Sequence, residues 1–249
     1  MQKKTCIIIP CYNEAKRLQR DNFVSYAKRN RNIYLLFVND GSKDETGLIL
    51  QNMMRHENHK IFVLDLKHNV GKAEAVRLGI LESFHWKCFD YVGYFDADLS
   101  CPLTEIKVVI KIIERIKACR MVLGSRVKRL GAEIERNELR HYIGRVVSTL
   151  ASIILKLPVY DTQCGFKLFT KDYAQYVFSW KFKTTWLFDC EILARLIHKY
   201  GYEQVNKSIY EVPLNTWIEK GKSKIKFDYV FKIPIELYNI HKIINNGDM

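Results

Sequence analysis

A chain of 249 residues that is 48% hydrophobic and 12% aromatic carries enough apolar surface for one sizeable core, which excludes a disordered protein. Forty Lys and Arg against 27 Asp and Glu give a formal charge of +13, suited to a phosphorylated substrate, nucleic acid or an anionic membrane surface. The basic residues are spread along the chain without a nucleic-acid motif, the seven cysteines form no Cys-x-x-Cys pair, and no apolar run reaches the roughly 18–20 residues of a membrane span, so nucleic acid, zinc and a transmembrane anchor are not expected.

Scattered cysteines in odd number point to free thiols in a reducing compartment. Met1-Gln2-Lys3-Lys4 leads straight into a strand-like segment with no room for a signal peptide, so a cytoplasmic protein is expected. The N-terminal half then alternates β-branched runs with segments of helical period, the pattern of βα units on a largely parallel sheet. Thr5–Pro10 predicts the first strand and Glu14–Asn30 a helix. Tyr34–Asn39 predicts the second strand, and Ser42 with Glu45 forms a capping-box signature that starts the helix Asp44–His56 directly after Asp40-Gly41. Ile61–Leu66 and Ala73–His85 make the third pair. Tyr91–Asp96 is the fourth strand, followed by Leu103–Ala118 with Leu103, Ile106, Ile110, Ile113 and Ile116 on one face, and Met121–Gly124 is the fifth strand.

Two later segments are amphipathic. Gly144–Leu157 places Val146, Val147, Leu150, Ile153, Ile154 and Leu157 on one helical face, which would either pack on the core or lie in a bilayer interface. From Lys222 to Ile244, Lys224, Lys226, Lys232 and Lys242 accompany Phe227, Phe231, Ile235, Leu237 and Ile240, and Pro234 is expected to kink the helix. Peripheral membrane attachment and a helix snorkelling its lysines over the domain both fit.

In parallel sheets, ligands bind beyond the carboxyl ends of the strands. There lie Pro10-Cys11-Tyr12-Asn13-Glu14, Asp40-Gly41-Ser42, His68-Asn69-Val70-Gly71-Lys72 and Asp96-Ala97-Asp98. Any one of these could be an ordinary polar turn; four along one edge suggest a site. Side chains two apart on an extended segment face the same way, so Asp96 and Asp98 can share one hard cation, Mg²⁺ or Mn²⁺, that keeps positions open for diphosphate oxygens.

Ile8-Ile9-Pro10-Cys11-Tyr12-Asn13-Glu14, Val38-Asn39-Asp40-Gly41-Ser42, Asn69-x-Gly71-Lys72 and Asp96-Ala97-Asp98, in this order, resemble family 2 inverting glycosyltransferases of the GT-A fold. Gly124-Ser125-Arg126, Arg140, Asp161-Thr162-Gln163-Cys164-Gly165-Phe166-Lys167-Leu168-Phe169, Trp186-x-Phe188-Asp189-x-Glu191, Trp217 and Gly221-x-Ser223-Lys224 are similar to the polyprenyl-phosphate branch, above all the dolichyl-phosphate β-glucosyltransferases. The resemblance implies an α/β catalytic domain over 1–221, with a nucleotide-sugar half to about residue 125 and an acceptor half beyond it, and a basic C-terminal segment over 222–249.

It also implies roles. Pro10, Tyr12, Asn13, Glu14 and Asp40 would hold the nucleoside, Asp40 at the base and Glu14 at the ribose, with Lys72 nearby. Asp96, Ala97 and Asp98 would hold the diphosphate, Asp98 as metal ligand and Asp96 bridging metal and donor. Arg126 and Arg140 would grip the acceptor phosphate, because the guanidinium fork binds phosphate oxygens bidentately, and Lys224 would reach back to the donor. Asp161 and Gln163 would line the sugar pocket or brace the turn at Gly165. Gly144, Ser100 and Ile218 stand where the related mannosyltransferases carry Ser, Gln and Arg, which favours glucose from UDP-glucose over mannose from GDP-mannose.

The expected reaction is inverting hexosyl transfer to a polyprenyl phosphate by an enzyme peripheral to a membrane. If the acceptor were a glycan hydroxyl, Asp189 would be the base; a nucleotide-sugar-binding protein without catalysis is the non-enzymatic alternative.

Overall fold

A computed structural model describes residues 3–57, 59–220 and 228–248, apart from the side chains of residues 139–141 and 228–230. In chain order the elements are β1 (Thr5–Cys11), α1 (Arg20–Arg29), β2 (Ile33–Asp40), α2 (Thr46–His56), β3 (Ile61–Leu66), α3 (Lys72–Trp86), β4 (Tyr91–Phe95) and α4 (Thr104–Arg115). There follow β5 (Met121–Ser125), β6 (Glu133–Glu135), α5 (Glu138–Leu155), β7 (Phe166–Thr170) and α6 (Lys171–Val177). The chain ends with α7 (Phe188–Tyr200), α8 (Tyr202–Ser208), β8 (Ile209–Pro213), β9 (Thr216–Ile218) and α9 (Asp228–Asn246). The expected α/β architecture with a mostly parallel sheet flanked by helices is present.

The chain divides into two compact units, one of residues 1–99 with 165–179 and one of 100–164 with 180–249. In the first, the strands lie in the order β3-β2-β1-β4-β7 and run parallel except β7, which is antiparallel to β4. β1, β2 and β4 are buried almost throughout, as continuous apolar runs flanked by helices require. After β3 at one edge, the chain returns to pair β4 with β1. The carboxyl ends of β1 and β4 therefore border the point where the strand order reverses, where such sheets bind ligands.

The first two helices start later than their sequences suggest. The amides of Glu14 and Ala15 donate to Thr46 Oγ1 (2.8 Å) and Asp44 Oδ2 (3.1 Å), and residues 14–19 form turns, so α1 begins at Arg20. The capping box at Ser42 is absent for the same reason. Ser42 Oγ accepts the Asn13 amide at 3.1 Å, and α2 starts at Thr46 with no side-chain bond at its N-cap, Glu45.

In the second unit β5 pairs with β8 and β6 with β9, both parallel. α7 is buried from Phe188 to Ile197, and α9 packs against α7 and α5 through Leu237, Ile240 and Ile243. α9 is a single helix through Pro234. The face expected on α5 is split: Val147, Ala151 and Leu155 are buried, whereas Val146, Leu150 and Ile153 are exposed. Inside α7, Glu191 pairs with Arg195 at 2.6 Å, both fully buried, and accepts the amides of Lys183 and Thr184.

On β8, Glu211 accepts the amides of Tyr160 and Asp161, both at 2.7 Å, and Asp161 in turn binds Arg126 through two side-chain bonds of 2.6 and 2.8 Å and the Arg126 amide. Burial alone would raise the Asp161 carboxyl, but the Arg126 guanidinium, its hydrogen bonds and nearby Arg136 outweigh it and hold the group at about 2. A carboxyl held below its unfolded value near 4 stabilises the fold above that pH and loses the contribution as pH falls from about 4 through about 2. The wild type is therefore expected to lose roughly 2–3 kcal/mol more than Asp161→Asn between pH 5 and pH 2 in urea unfolding. Parallel losses for the two proteins would contradict this.

Candidate active site

Asp40 ends β2 with its carboxylate buried. Its Oδ1 accepts the Val70 amide at 2.7 Å, and its Oδ2 accepts the Gly71 amide at 3.0 Å and Asn69 Nδ2 at 2.9 Å. Burial pushes this carboxyl up, against the lowering pull of the two amides and His68, and the net direction is upward. Gly41 has φ +61°, and a Cβ there would lie 2.4 Å from the His68 carbonyl carbon, so the two loops meet backbone to backbone. This contact fixes Gly71, the N-cap of α3, and with it Lys72 as the first helical residue. Lys72 Nζ reaches Asp96 Oδ1 at 2.6 Å, with both side chains about two-fifths exposed (41% and 42%).

At the end of β1, Asn13 takes a left-handed φ of 51°, and its Oδ1 accepts the Lys43 amide at 2.8 Å. Glu14 is buried and holds Arg17 in a two-pronged pair of 2.6 and 2.9 Å. Arg17 is absent from the sequence-derived site, although its place three residues after Glu14 is a recognisable helical-turn spacing. Pro10 and Tyr12 are half-buried beside these turns.

β4 stops at Phe95, so Asp96 and Asp98 stand on a turn and not on the extended segment the sequence suggested. Ala97 is buried, Asp96 and Asp98 are half-buried, and Leu99 closes the turn with φ 53°. The β4–β7 register, Phe95 opposite Phe166, brings Gly165 against Asp96. A Cβ on Gly165 would fall 1.7 Å from Asp96 Oδ2, so this glycine is required by the carboxylate's position. The two carboxylates form a hard oxygen donor set suited to Mg²⁺ or Mn²⁺. Among the described residues no group of three or more His, Cys, Asp or Glu converges on a metal position, so the remaining coordination would come from phosphate oxygens or water.

The acceptor-side candidates lie in the second unit. Arg126, held by Asp161, also stacks over Trp217 with its guanidinium carbon 5.3 Å from the ring centroid. Arg136, which the sequence reading passed over, is half-buried; burial and then Arg126 press its charged form down, against the pull of Asp161. A Cβ on Gly144 would meet Arg136 Nη2 at 2.7 Å, so a larger residue at 144 would crowd that guanidinium. Ser100 and Ile218 are neighbours, the Ile218 amide donating to the Ser100 carbonyl at 2.8 Å. Gln163 Nε2 donates to the Trp186 carbonyl at 3.0 Å, and Asp189 is buried in the first turn of α7. The side chain of Arg140 and all of Lys224 lie outside the described residues.

The family model "Glycosyl transferase family 2" matches residues 6–178. A Trichomonas vaginalis dolichyl-phosphate beta-glucosyltransferase is 33% identical over 95% of this chain and 70% of its own length. The human dolichyl-phosphate beta-glucosyltransferase is 28% identical over 90% of this chain and 70% of its own. In fold, the chain matches glucosyl-3-phosphoglycerate synthase of Mycobacterium tuberculosis, crystallised with Mn²⁺ and UDP-glucose, with a TM-score of 0.70 at 15% identity over 98% of this chain and 81% of that one. The GT-A architecture expected from sequence is thus the one observed, and the chain belongs to glycosyl transferase family 2.

Proposed function

We propose that this protein transfers glucose from UDP-glucose to dolichyl phosphate or a similar polyprenyl phosphate, with inversion at the anomeric carbon. The observation that carries the reading is the carboxyl edge of the first unit, where Asp96, Asp98 and Lys72 gather beside the Asp40-organised loops, in a chain whose curated relatives are named for this acceptor. An oxygen of the acceptor phosphate bonds to the anomeric carbon while the bond from that carbon to the diphosphate breaks, and the electron pair leaves with UDP. The acceptor is already anionic, so no residue need take a proton from it.

Asp96 and Asp98 would hold the metal, with the nucleoside against Pro10, Tyr12, Asn13, Glu14 and Asp40. A bound Mg²⁺ or Mn²⁺ supplies the charge that offsets the departing diphosphate. Lys72 adds a second cation at the N-terminal end of α3, where the helix dipole favours anions. Arg126 and Arg136, with Arg140 from the sequence motif, supply the positive field for the acceptor phosphate, and Asp189 orients the acceptor side. Incubated with UDP-glucose, Mn²⁺ and dolichyl phosphate, the purified protein should produce a lipid-extractable glucosyl phosphate and stop on chelation. A preference for GDP-mannose, or transfer only to sugar hydroxyls, would overturn the donor or the acceptor assignment.

Gly165→Ala tests the metal-diphosphate role of the turn. Displacing Asp96 should weaken Mn²⁺-dependent UDP-glucose binding by about 10–100-fold in calorimetry, in line with the cost of disturbing groups that orient metal ligands. Unchanged binding by a folded variant would remove Asp96 from the donor site.

A peripheral membrane surface on the cytosolic side follows from the same reading. Tyr142, Val146, Leu150 and Ile153 form an exposed apolar stripe on α5, and Phe231, Ile235 and Tyr238 form another on α9. No helix among the described residues is long and apolar enough to cross a membrane, whereas such stripes together with a charge of +13 suit the interface of an anionic bilayer. Flotation should recover the protein with vesicles containing anionic lipid at low salt, and less of it with Val146→Ser/Ile153→Ser. Equal recovery of both proteins, or none of either, would count against this surface.

A further inference from the structure

α7 has no cap of its own. Its N-cap residue is Leu187, which makes no side-chain cap bond, and the approach Thr184-Thr185-Trp186-Leu187 supplies no acid. The acid comes from α9. Glu236, buried at 6% exposure, accepts the Thr185 amide at 2.9 Å, the Trp186 amide at 3.2 and 3.3 Å and the Leu187 amide at 2.7 Å, and the Thr185 hydroxyl at 2.8 Å. Three consecutive amides thus converge on one carboxylate at the positive end of a helix, where backbone donors and the helix dipole both favour an anion.

This segment also leads to the site. The Trp186 carbonyl, one peptide from the clamped amides, accepts Gln163 Nε2 at 3.0 Å, and Asp189 follows Leu187 by two residues. The preceding residues are fastened independently, because Glu191 holds the Lys183 and Thr184 amides and Arg195 binds the Trp180 and Lys181 carbonyls. Glu236 ties the stretch between that anchor and Asp189 to the C-terminal helix.

We infer that Glu236 is a positioning residue for the acceptor side of the transfer reaction, which makes α9 part of the catalytic apparatus as well as of the packing. The inference rests on the glucosyl-transfer reading. It separates donor from acceptor function, since the donor-side candidates among the described residues belong to the first unit and Glu236 to the second.

The test compares Glu236→Gln and Glu236→Ala in the full chain. Gln keeps the size but turns an amide N–H₂ toward amide donors. Each should lower kcat about 10–100-fold, as small displacements of reacting groups do, while the calorimetric affinity for UDP-glucose with Mn²⁺ stays within about twofold, with Gln less affected than Ala. A purely structural cap would lower Tm and leave kcat intact at temperatures where the variant is folded, and that result overturns the inference. Hydrogen exchange on the unmodified protein decides the clamp without any variant: the Thr185, Trp186 and Leu187 amides should be protected to the level of the α7 core, and fast exchange there refutes it. A wild type that transfers no sugar to any lipid phosphate would defeat the functional reading; a wild type that transfers, with Glu236→Gln equally active, would defeat this inference alone.

Discussion

Loops at the ends of strands leave amide groups that no sheet or helix satisfies, and a site built on such loops is only as well placed as those amides are held. In this chain carboxylates hold them. Asp40 takes the amides of Val70 and Gly71, Asp44 those of Ala15 and Thr46, Glu211 those of Tyr160 and Asp161, Glu191 those of Lys183 and Thr184, and Glu236 those of Thr185 to Leu187. Charge-assisted bonds of this type are roughly twice as strong as neutral ones, and a buried carboxylate is tolerable only where several donors converge on it. Asp40 stands first among them. Without its carboxylate the Val70 and Gly71 amides would be left without that acceptor, the first turn of α3 would lose its anchor, and Lys72 would no longer be fixed opposite Asp96.

The first five strands were legible in the sequence because each is an apolar run, and their observed ends lie within one residue of the expected ones, whereas the short or later strands β6 to β9 were not anticipated. The gathering of four polar loops at one sheet edge was legible too, since parallel strands force it. Partners distant in sequence were not legible. Glu236 lies about fifty residues from the amides it binds, in a segment whose composition fitted both peripheral membrane attachment and a lysine-snorkelling helix. Ser42 fits a capping box locally, but Asn13, 29 residues earlier, claims its hydroxyl. Gly165 read as a turn residue because nothing in its neighbourhood reveals that the Asp96 carboxylate fills the place of its Cβ.

α5 exposes a different limit. Periodicity identifies an apolar arc, but it cannot say how much of the arc the core covers. Here the core takes Val147, Ala151 and Leu155 and leaves Val146, Leu150 and Ile153 in contact with solvent. A helix whose apolar arc is wider than its packing partner has a second surface to satisfy. The same holds for α9, where Leu237, Ile240 and Ile243 face inward while Phe231, Ile235 and Tyr238 do not.

The turn after β4 places two acids, Asp96 and Asp98, close together in sequence. The Lys72 ammonium lies 2.6 Å from the Asp96 carboxylate and brings a positive charge to this turn. The two partners are held differently. Asp96 is pressed against Gly165, where no side chain could be added, whereas the Lys72 ammonium sits at the end of a flexible four-carbon stem and is two-fifths exposed. A fixed carboxylate with a movable counter-cation suits a site that must be electrically balanced both before and after a diphosphate arrives. Exposure also keeps the pair weak, since a half-solvated ion pair contributes little to stability. Under the proposed function, Lys72 would turn from Asp96 to an incoming phosphate, an exchange that a buried pair such as Glu191–Arg195, with neither side chain exposed, could not make.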